Sequence, residues 1–137
     1  MNKKFEILSH TADIKIKAYG ATHAELFANA LHGMFESVSP IIKQDTQTTT
    51  RSINLHAADF ESLLVDFLAD CLYLSDVHNE AYFDVLFEVL NGTHLSAVVY
   101  GTPLLGFEGV EIKAVTYHDL HLEQHNGIWQ ATIVFDI

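Results

Sequence analysis

The spacing of hydrophobic and polar residues near the start of the chain predicts two β-strands. Between Ile14 and Tyr19 apolar side chains alternate with lysines, which is typical of a strand with one buried face and one solvent-exposed face. Phe5 to Leu8 is a shorter strand-like segment, and Gly20 ends the second strand. The polar segment from Ser9 to Asp13 is therefore expected to connect the two strands.

Two later stretches have helical spacing. Thr22 and Glu25 are separated as in a capping box, and apolar residues then recur every three or four positions as far as Val38. Pro40 is expected to close this first helix. Asp59 is a suitable N-cap for a second helix, whose wide apolar face predicts a deeply buried position. Its apolar residues are Phe60, Leu63, Leu64, Phe67, Leu68, Cys71 and Leu72.

The rest of the chain consists of strand-like segments joined by short turns. The predicted strands are Arg51 to His56, Tyr82 to Leu90, Leu95 to Tyr100, Val110 to His118, Leu120 to Gln124 and Trp129 to Phe135. The pairs Asn91–Gly92 and Asn126–Gly127 indicate hairpin turns. Gly101 to Gly109, which contains Pro103, is predicted to be a loop. This order of elements predicts one α+β domain over residues 1–137, with largely antiparallel β-sheet and two packed α-helices.

The charge of the chain argues against two classes of partner. It has 137 residues, with 18 Asp and Glu against 7 Lys and Arg, and its formal net charge is -11. Nucleic acids and anionic membranes are bound mainly by Lys and Arg, so we expect no direct nucleic-acid or membrane binding. A basic protein partner or a cation fits this charge better.

The single cysteine and the N-terminal residues favour a cytoplasmic protein. Cys71 has no partner within the chain for a disulfide, and a lone buried thiol is typical of a reducing compartment. The first residues are too short and too polar for a secretory signal, and no apolar run approaches the roughly 20 residues of a membrane span. We therefore expect a soluble, cytoplasmic protein.

Acidic groups are available at both ends of the sequence. Asp136 follows the last predicted strand directly, and Ile137 would add the terminal carboxylate or its carbonyl. Asp13 either satisfies backbone donors in a turn or acts as a metal ligand or catalytic carboxylate. If the two ends meet, these oxygen ligands favour Ca²⁺, Mg²⁺ or Mn²⁺ over Zn²⁺, and the site would need further ligands from water or a partner.

Other chemistries receive little support from the sequence. The nine histidines are dispersed, and the closest pair, His118 and His121, is spaced so that a strand would point them to opposite faces. Neither a phosphate-binding loop of the Gly-Lys-Ser/Thr type nor a Gly-x-Ser-x-Gly nucleophile elbow is present. Lys113 is either an outward lysine of a strand or a cation beside the acidic end. Zinc enzymes and independent hydrolases are therefore disfavoured.

Three segments together resemble the archease family. They are His10-Thr11-Ala12-Asp13 with the strand after it, Ile112-Lys113-Ala114-Val115-Thr116-Tyr117-His118, and the C-terminal Trp129 to Ile137. The resemblance covers essentially the whole chain. It implies an accessory protein, not itself an enzyme, that promotes guanylylation and multiple turnover of a GTP-dependent RNA-splicing ligase.

The family resemblance also implies roles for individual residues. It assigns a divalent ion, usually Ca²⁺, to Asp13, Asp136 and Ile137, with no catalytic residue and no organic cofactor. His10, Lys113 and His118 are candidates for contacting the ligase. The ligase joins a 3′-phosphate or 2′,3′-cyclic phosphate to a 5′-hydroxyl, so tRNA splicing and RNA repair are the expected processes.

The segment from Gly101 to Gly109 departs from the family pattern, which often has charged residues there, whereas this chain has Thr-Pro-Leu-Leu-Gly-Phe. A different contact with the partner is expected at this segment. Two other functional classes stay open. A chaperone-like interaction module would need no metal-binding tip, and a metal-dependent phosphohydrolase would turn over a phosphoester without a second protein.

Overall fold

The structure, a computed structural model, describes residues 3–8 and 13–137. This part of the chain contains two α-helices, α1 (His23–Glu36) and α2 (Phe60–His78). Its eight strands are β1 (Phe5–Leu8), β2 (Asp13–Gly20), β3 (Pro40–Ile42), β4 (Thr49–His56), β5 (Glu80–Leu90), β6 (His94–Phe107), β7 (Ala114–His125) and β8 (Ile128–Asp136). All recorded strand pairs are antiparallel, so the predicted α+β class with antiparallel sheet and two helices is confirmed.

The strands form two sheets. The first has the order β1-β2-β8-β7, so strands from the two ends of the chain lie side by side at its centre. In the second sheet the long strand β6 pairs with β5 along one edge. Along its other edge β6 pairs first with β4 and then with β3.

The two helices form a layer between the sheets. Helix α1 contacts β2 of the first sheet and β5 of the second, and α2 contacts β7 and β4 in the same way. Because both helices pack on two sides, their apolar residues cover most of the helix surface rather than one stripe. The large side chains with almost no exposure include Phe27, Phe35, Phe67, Tyr82 and Phe135. No helix in the described ranges has the length and apolar content to cross a membrane.

Local signals in the sequence position the helices and hairpins as predicted. The Thr22 hydroxyl accepts a hydrogen bond from the Glu25 backbone N–H at 3.1 Å, and the Asp59 carboxylate caps α2 by accepting from the Ser62 N–H at 2.8 Å. A tight turn at Asn126–Gly127, where both residues have positive φ, connects β7 to β8. The predicted caps and this hairpin are therefore confirmed.

The predicted loop from Gly101 to Gly109 is wrong. Strand β6 continues to Phe107, because β5 pairs with it as far as Pro103 and β3 pairs with it beyond. Proline has no N–H for a strand ladder, but Pro103 lies in the gap between β4, which reaches Gly101, and β3, whose last residue Ile42 lies opposite Leu104. The missing donor is therefore tolerated at this point.

Two further boundaries differ from the prediction. Helix α1 ends at Glu36, and Ser39, with φ of 50°, directs the chain into β3, so Pro40 begins a strand instead of closing the helix. The segments Val110 to His118 and Leu120 to Gln124 were predicted as separate strands. One strand, β7, covers the second and the end of the first, with its register interrupted between Thr116 and His121.

Candidate carboxylate site at the paired ends of two strands

Two aspartates meet where β2 begins and β8 ends. Asp13 is the first residue of β2 and Asp136 is the last residue of β8, and they are direct partners in the antiparallel ladder. Side chains directly opposite each other in such a ladder project from the same face, with Cβ atoms about 4.5–5.5 Å apart. The two carboxylates are therefore neighbours, although they are separated by almost the whole sequence.

The apolar core fixes the register that brings the aspartates together. On the opposite face of the same two strands, Ile14 pairs with Phe135 and Ile16 pairs with Ile133. Ile16, Ile133 and Phe135 are fully buried. A slip of one residue would move these side chains from the core to the solvent. The burial of this face therefore keeps Asp13 opposite Asp136.

Strand β7 completes the surroundings of Asp136. Ala114 is the partner of Asp136 on that side, so a methyl group lies next to the exposed carboxylate in the same row. The Lys113 backbone N–H donates to the Asp136 carbonyl oxygen at 2.7 Å. The end of β8 is thus held in place by pairing with β2 and β7 and by the hydrogen bond from Lys113.

Lys113 was predicted to lie within a strand, and the structure corrects this. It is an exposed residue immediately before β7, and its main chain rather than its ammonium group contacts Asp136. Among the described residues no ion pair involves Lys113. The Lys113 side chain is therefore accessible to a binding partner.

His118 lies in the interrupted part of β7. Its side chain is 73% exposed, and its Nε2 atom is 3.5 Å from the Asp119 carboxylate. Asp119 also pairs with Lys15 at 3.6 Å, which links β2 to β7 across β8. Val134 of β8 lies between them and is only 2% exposed. The interrupted segment therefore covers the outer face of the sheet next to the aspartates.

Lys15 is a neighbour of the aspartates that sequence reasoning did not single out. It lies two residues from Asp13 on the same strand, so both side chains project from the outer face of the sheet. The alternation of apolar residues and lysines from Ile14 to Lys17 could have predicted that Lys15 shares a face with Asp13. Of the other predicted residues, His10 lies outside the described residues, and Ile137 follows β8 with partial exposure.

The donors at this site fit a hard divalent ion only in part. Asp13 and Asp136 supply carboxylate oxygens and Ile137 can supply a main-chain oxygen, which is the chemistry that Ca²⁺ and Mg²⁺ prefer. Within residues 3–8 and 13–137 no three His, Cys, Asp or Glu side chains are grouped closely enough to hold an ion. An ion here would therefore need further ligands from water or a partner.

A second carboxylate is treated differently by its surroundings. Glu80 is 3% exposed, and both its oxygens accept from Arg51, from Nε at 3.0 Å and from Nη2 at 2.9 Å. The Tyr82 hydroxyl donates to Glu80 Oε1 at 2.8 Å. Mainly through the hydrogen bonds from Arg51, the pKa of Glu80 falls to about 2. The pKa of the Tyr82 hydroxyl is raised, chiefly because the hydroxyl is buried and also because it donates to Glu80. No motif or spacing in the sequence indicated this network.

Comparison with known sequences shows that the chain is similar to members of one family over almost its whole length. The model of the Archease protein family (MTH1598/TM1083) matches residues 5–137. "Protein archease" of Methanosarcina mazei is 40% identical over 143 residues, covering 98% of this chain and 97% of the relative. "Protein archease" of Thermococcus gammatolerans is 32% identical and covers 98% of this chain and 99% of the relative.

Two solved structures are similar to this one over nearly their full length. The solution structure of Methanobacterium thermoautotrophicum protein 1598 has a TM-score of 0.72 and 28% sequence identity, covering 97% of this chain and 98% of that one. The crystal structure from Thermotoga maritima, described as "an archease, possible chaperone", has a TM-score of 0.71 and 25% identity. It covers 100% of this chain and 98% of its own.

Proposed function

The chain belongs to the archease family, and from that premise we propose that it activates a GTP-dependent RNA-splicing ligase. The ligase would join a 3′-phosphate or 2′,3′-cyclic phosphate to a 5′-hydroxyl, in tRNA splicing or RNA repair. This protein would promote guanylylation of the ligase and its multiple turnover. It would act in the cytoplasm as an accessory protein and not as an enzyme in its own right.

The observation that carries this proposal is the pairing of Asp13 with Asp136. Like charges directly opposite each other on neighbouring strands are unfavourable, so the fold holds an arrangement that a cation would stabilise. Asp13, Asp136 and Ile137 would hold the ion, with Ca²⁺ as the first candidate and Mg²⁺ or Mn²⁺ as the others. Such an ion would neutralise the pair and offer its open positions to oxygen ligands of the ligase or its nucleotide.

Charge and position support docking through this end of the molecule. The net charge of -11 would attract a basic surface and accelerate the encounter. Lys113 and His118 lie on the neighbouring segments with exposed side chains, where they could contact the docked ligase. His10 is proposed for the same role on the basis of the family resemblance alone.

The test is GTP-dependent guanylylation and multiple-turnover ligation by the ligase of the same organism. We expect Asp13→Asn, Asp136→Asn and removal of Ile137 each to lower stimulation by about tenfold or more, because loss of a residue that only supports a metal ligand already costs about 10–100-fold. Glu123→Gln, at an exposed position of β7, is the matched control and should stimulate like the wild type. Full stimulation by all three folded variants would contradict the proposal.

The same assay separates the two alternative functions. The name of the Thermotoga maritima relative and the exposed apolar side chains of Tyr73 and Leu105 favour a chaperone-like module as the second candidate. That function predicts suppression of aggregation that survives Asp13→Asn and Asp136→Asn. A metal-dependent phosphohydrolase predicts release of phosphate from a phosphoester when the ligase is absent, and we expect none.

A further inference from the structure

A groove of about 710 Å³ lies next to the carboxylate site. The C-terminal half of α2 forms one wall, the end of β6 from Leu104 to Phe107 forms another, and residues Glu111 to Val115 form the third. Met34 and Phe35 of α1 lie at its base. This volume is within the range of clefts that bind small molecules or protein side chains.

The rim of the groove exposes large apolar side chains. Leu105 is 72% exposed and Tyr73 is 66% exposed, the two largest values among the exposed large hydrophobic residues of the described chain. They lie on β6 and α2, on different walls of the same groove. Single exposed apolar residues are ordinary, but two that flank a cleft with a polar rim are typical of a surface that binds another protein.

The charges around the groove select the kind of partner. Asp76 of α2 and Glu111 of the third wall are exposed carboxylates that line it, against one lysine, Lys113. The chain as a whole has a net charge of -11. In a segment with basic residues on either side of an apolar side chain, the apolar side chain would pack on the floor of the groove. The basic residues would pair with the carboxylates at its rim.

The groove is continuous with the paired aspartates. Lys113 and Ala114 belong to its wall, and these same residues contact Asp136 through the 2.7 Å backbone hydrogen bond and the strand pairing. A protein that reaches the carboxylate site from this side would therefore meet the groove without leaving the surface of the molecule.

We propose that this groove docks a segment of the partner ligase in which an apolar side chain lies between Lys or Arg residues. The inference rests on the proposed function, to which it adds the surface that holds the ligase while the aspartates act. Leu105 and Tyr73 would pack on the apolar side chain, and Asp76 and Glu111 would pair with the basic residues.

A second copy of this chain fits the groove less well. Two copies would each bring a net charge of -11, and the carboxylates of one rim would face an acidic surface. Self-association would also cover the side chains that a basic partner needs. A basic segment is therefore the occupant that the charges favour.

The first experiment is independent of the ligase. Two synthetic peptides with the same central Leu and Phe residues, one flanked by lysines and the other by glutamates, are titrated into the full-length protein and followed by amide chemical shifts. We expect the lysine peptide alone to shift the amides from Leu104 to Phe107 and from Glu111 to Val115. An equal response to both peptides, or shifts confined to other regions, would overturn the inference.

The second experiment measures the affinity for the ligase. Leu105→Glu should weaken binding by about tenfold, as expected when an anchor side chain in an interface is lost. Leu86→Glu is the matched control, because Leu86 is 57% exposed on β5 and does not line the groove. Asp76→Asn should weaken binding by about two- to threefold at low salt and less at high salt.

The outcomes separate this inference from the proposed function. If Leu105→Glu binds the ligase like Leu86→Glu while wild type still stimulates it, the groove inference is wrong and the proposed function stands. If wild type neither binds nor stimulates the ligase, the proposed function is wrong, and the docking inference falls with it. A wild-type dimer that Leu105→Glu converts to a monomer would assign the groove to a second copy and overturn the inference.

Discussion

Glu80 and the Asp13–Asp136 pair are two carboxylate regions that this fold treats in opposite ways. Glu80 is nearly inaccessible and accepts hydrogen bonds from Arg51 and Tyr82, so a cation inside the protein balances its charge. Asp136 is exposed, and its direct partner across the ladder is another carboxylate. The first region is a buried carboxylate balanced by a guanidinium, whereas the second places two carboxylates opposite each other with Asp136 open to solvent.

This difference separates stability from function. A buried carboxylate that is bound by a guanidinium stabilises the native state, and removal of either partner is costly. Two like charges directly opposite each other in a ladder are unfavourable to each other. We therefore expect changes at Glu80 to alter stability without altering ligase activation, and changes at Asp136 to do the reverse.

The largest expected effect is the loss of stability in Glu80→Gln. A tenfold change in a proton-dissociation constant is worth about 1.36 kcal/mol, so a pKa lowered from 4.5 to about 2 corresponds to roughly 3 kcal/mol. Because Arg51 is partly exposed, we expect a loss of about 2–3 kcal/mol in urea unfolding at neutral pH. Glu88→Gln, an exposed position on the same strand, should change stability by less than about 0.5 kcal/mol.

The same network predicts a pH dependence of stability. The folded pKa of Glu80 is below its unfolded value, so its contribution is complete above pH 4.5 and is lost as the pH falls towards about 2. Wild-type stability should decline across this window, and Glu80→Gln should decline less. Parallel curves for the two proteins would contradict the assigned role of Glu80.

Gly101→Ala should be the next most damaging change. A Cβ atom at this position would lie 2.6 Å from Thr49 Oγ1 and 2.7 Å from Tyr82 Cε1, beside the Glu80 network. We expect a loss of about 1–3 kcal/mol in the free energy of unfolding, as for other over-packed cores. Gly92→Ala is the control, because its nearest atom would be Phe60 Cε2 at 3.8 Å. A neutral Gly101→Ala would show that this region is looser than its contacts indicate.

The sequence predicted features that depend on local chemistry. The N-caps at Thr22 and Asp59 and the hairpin at Asn126–Gly127 need only a few adjacent residues, and they are confirmed. The full length of β6 was missed because Pro103 and Gly106 are turn residues in most contexts. Only the change of partner strand, from β4 to β3, makes a proline acceptable there.

The two carboxylate regions differ in how well they can be predicted from the sequence. The family resemblance named Asp13 and Asp136 together, and the apolar alternation along the two strands that carry them fixes their register. The pairing of Arg51 with Glu80 could not be foreseen, because each residue lies in an ordinary strand and their meeting depends on how β4 and β5 flank β6. Side-chain pairs across three strands have no local signature.

Asp136→Asn should have a small effect on stability, with a sign opposite to that of Glu80→Gln. Removal of one of two facing carboxylates should leave the free energy of unfolding in EDTA unchanged or raise it by up to about 1 kcal/mol. Added Ca²⁺ should stabilise wild type and not the variant, because only an intact site gains from binding. A marked loss of stability in EDTA would mean that Asp136 supports the fold as Glu80 does, and the contrast between the regions would fail.

Lys15→Gln is the smallest and most specific change. Lys15 is on the same face of β2 as Asp13, so its positive charge should oppose a divalent ion bound to the aspartates. Its removal should tighten Ca²⁺ binding measured by calorimetry by about two- to threefold at low salt, with a smaller effect as NaCl screens the charge. Lys43→Gln, in the segment after β3 in the other sheet, is the control and should leave the affinity unchanged. Weaker binding in Lys15→Gln would show instead that the ion pair of Lys15 with Asp119 positions the site.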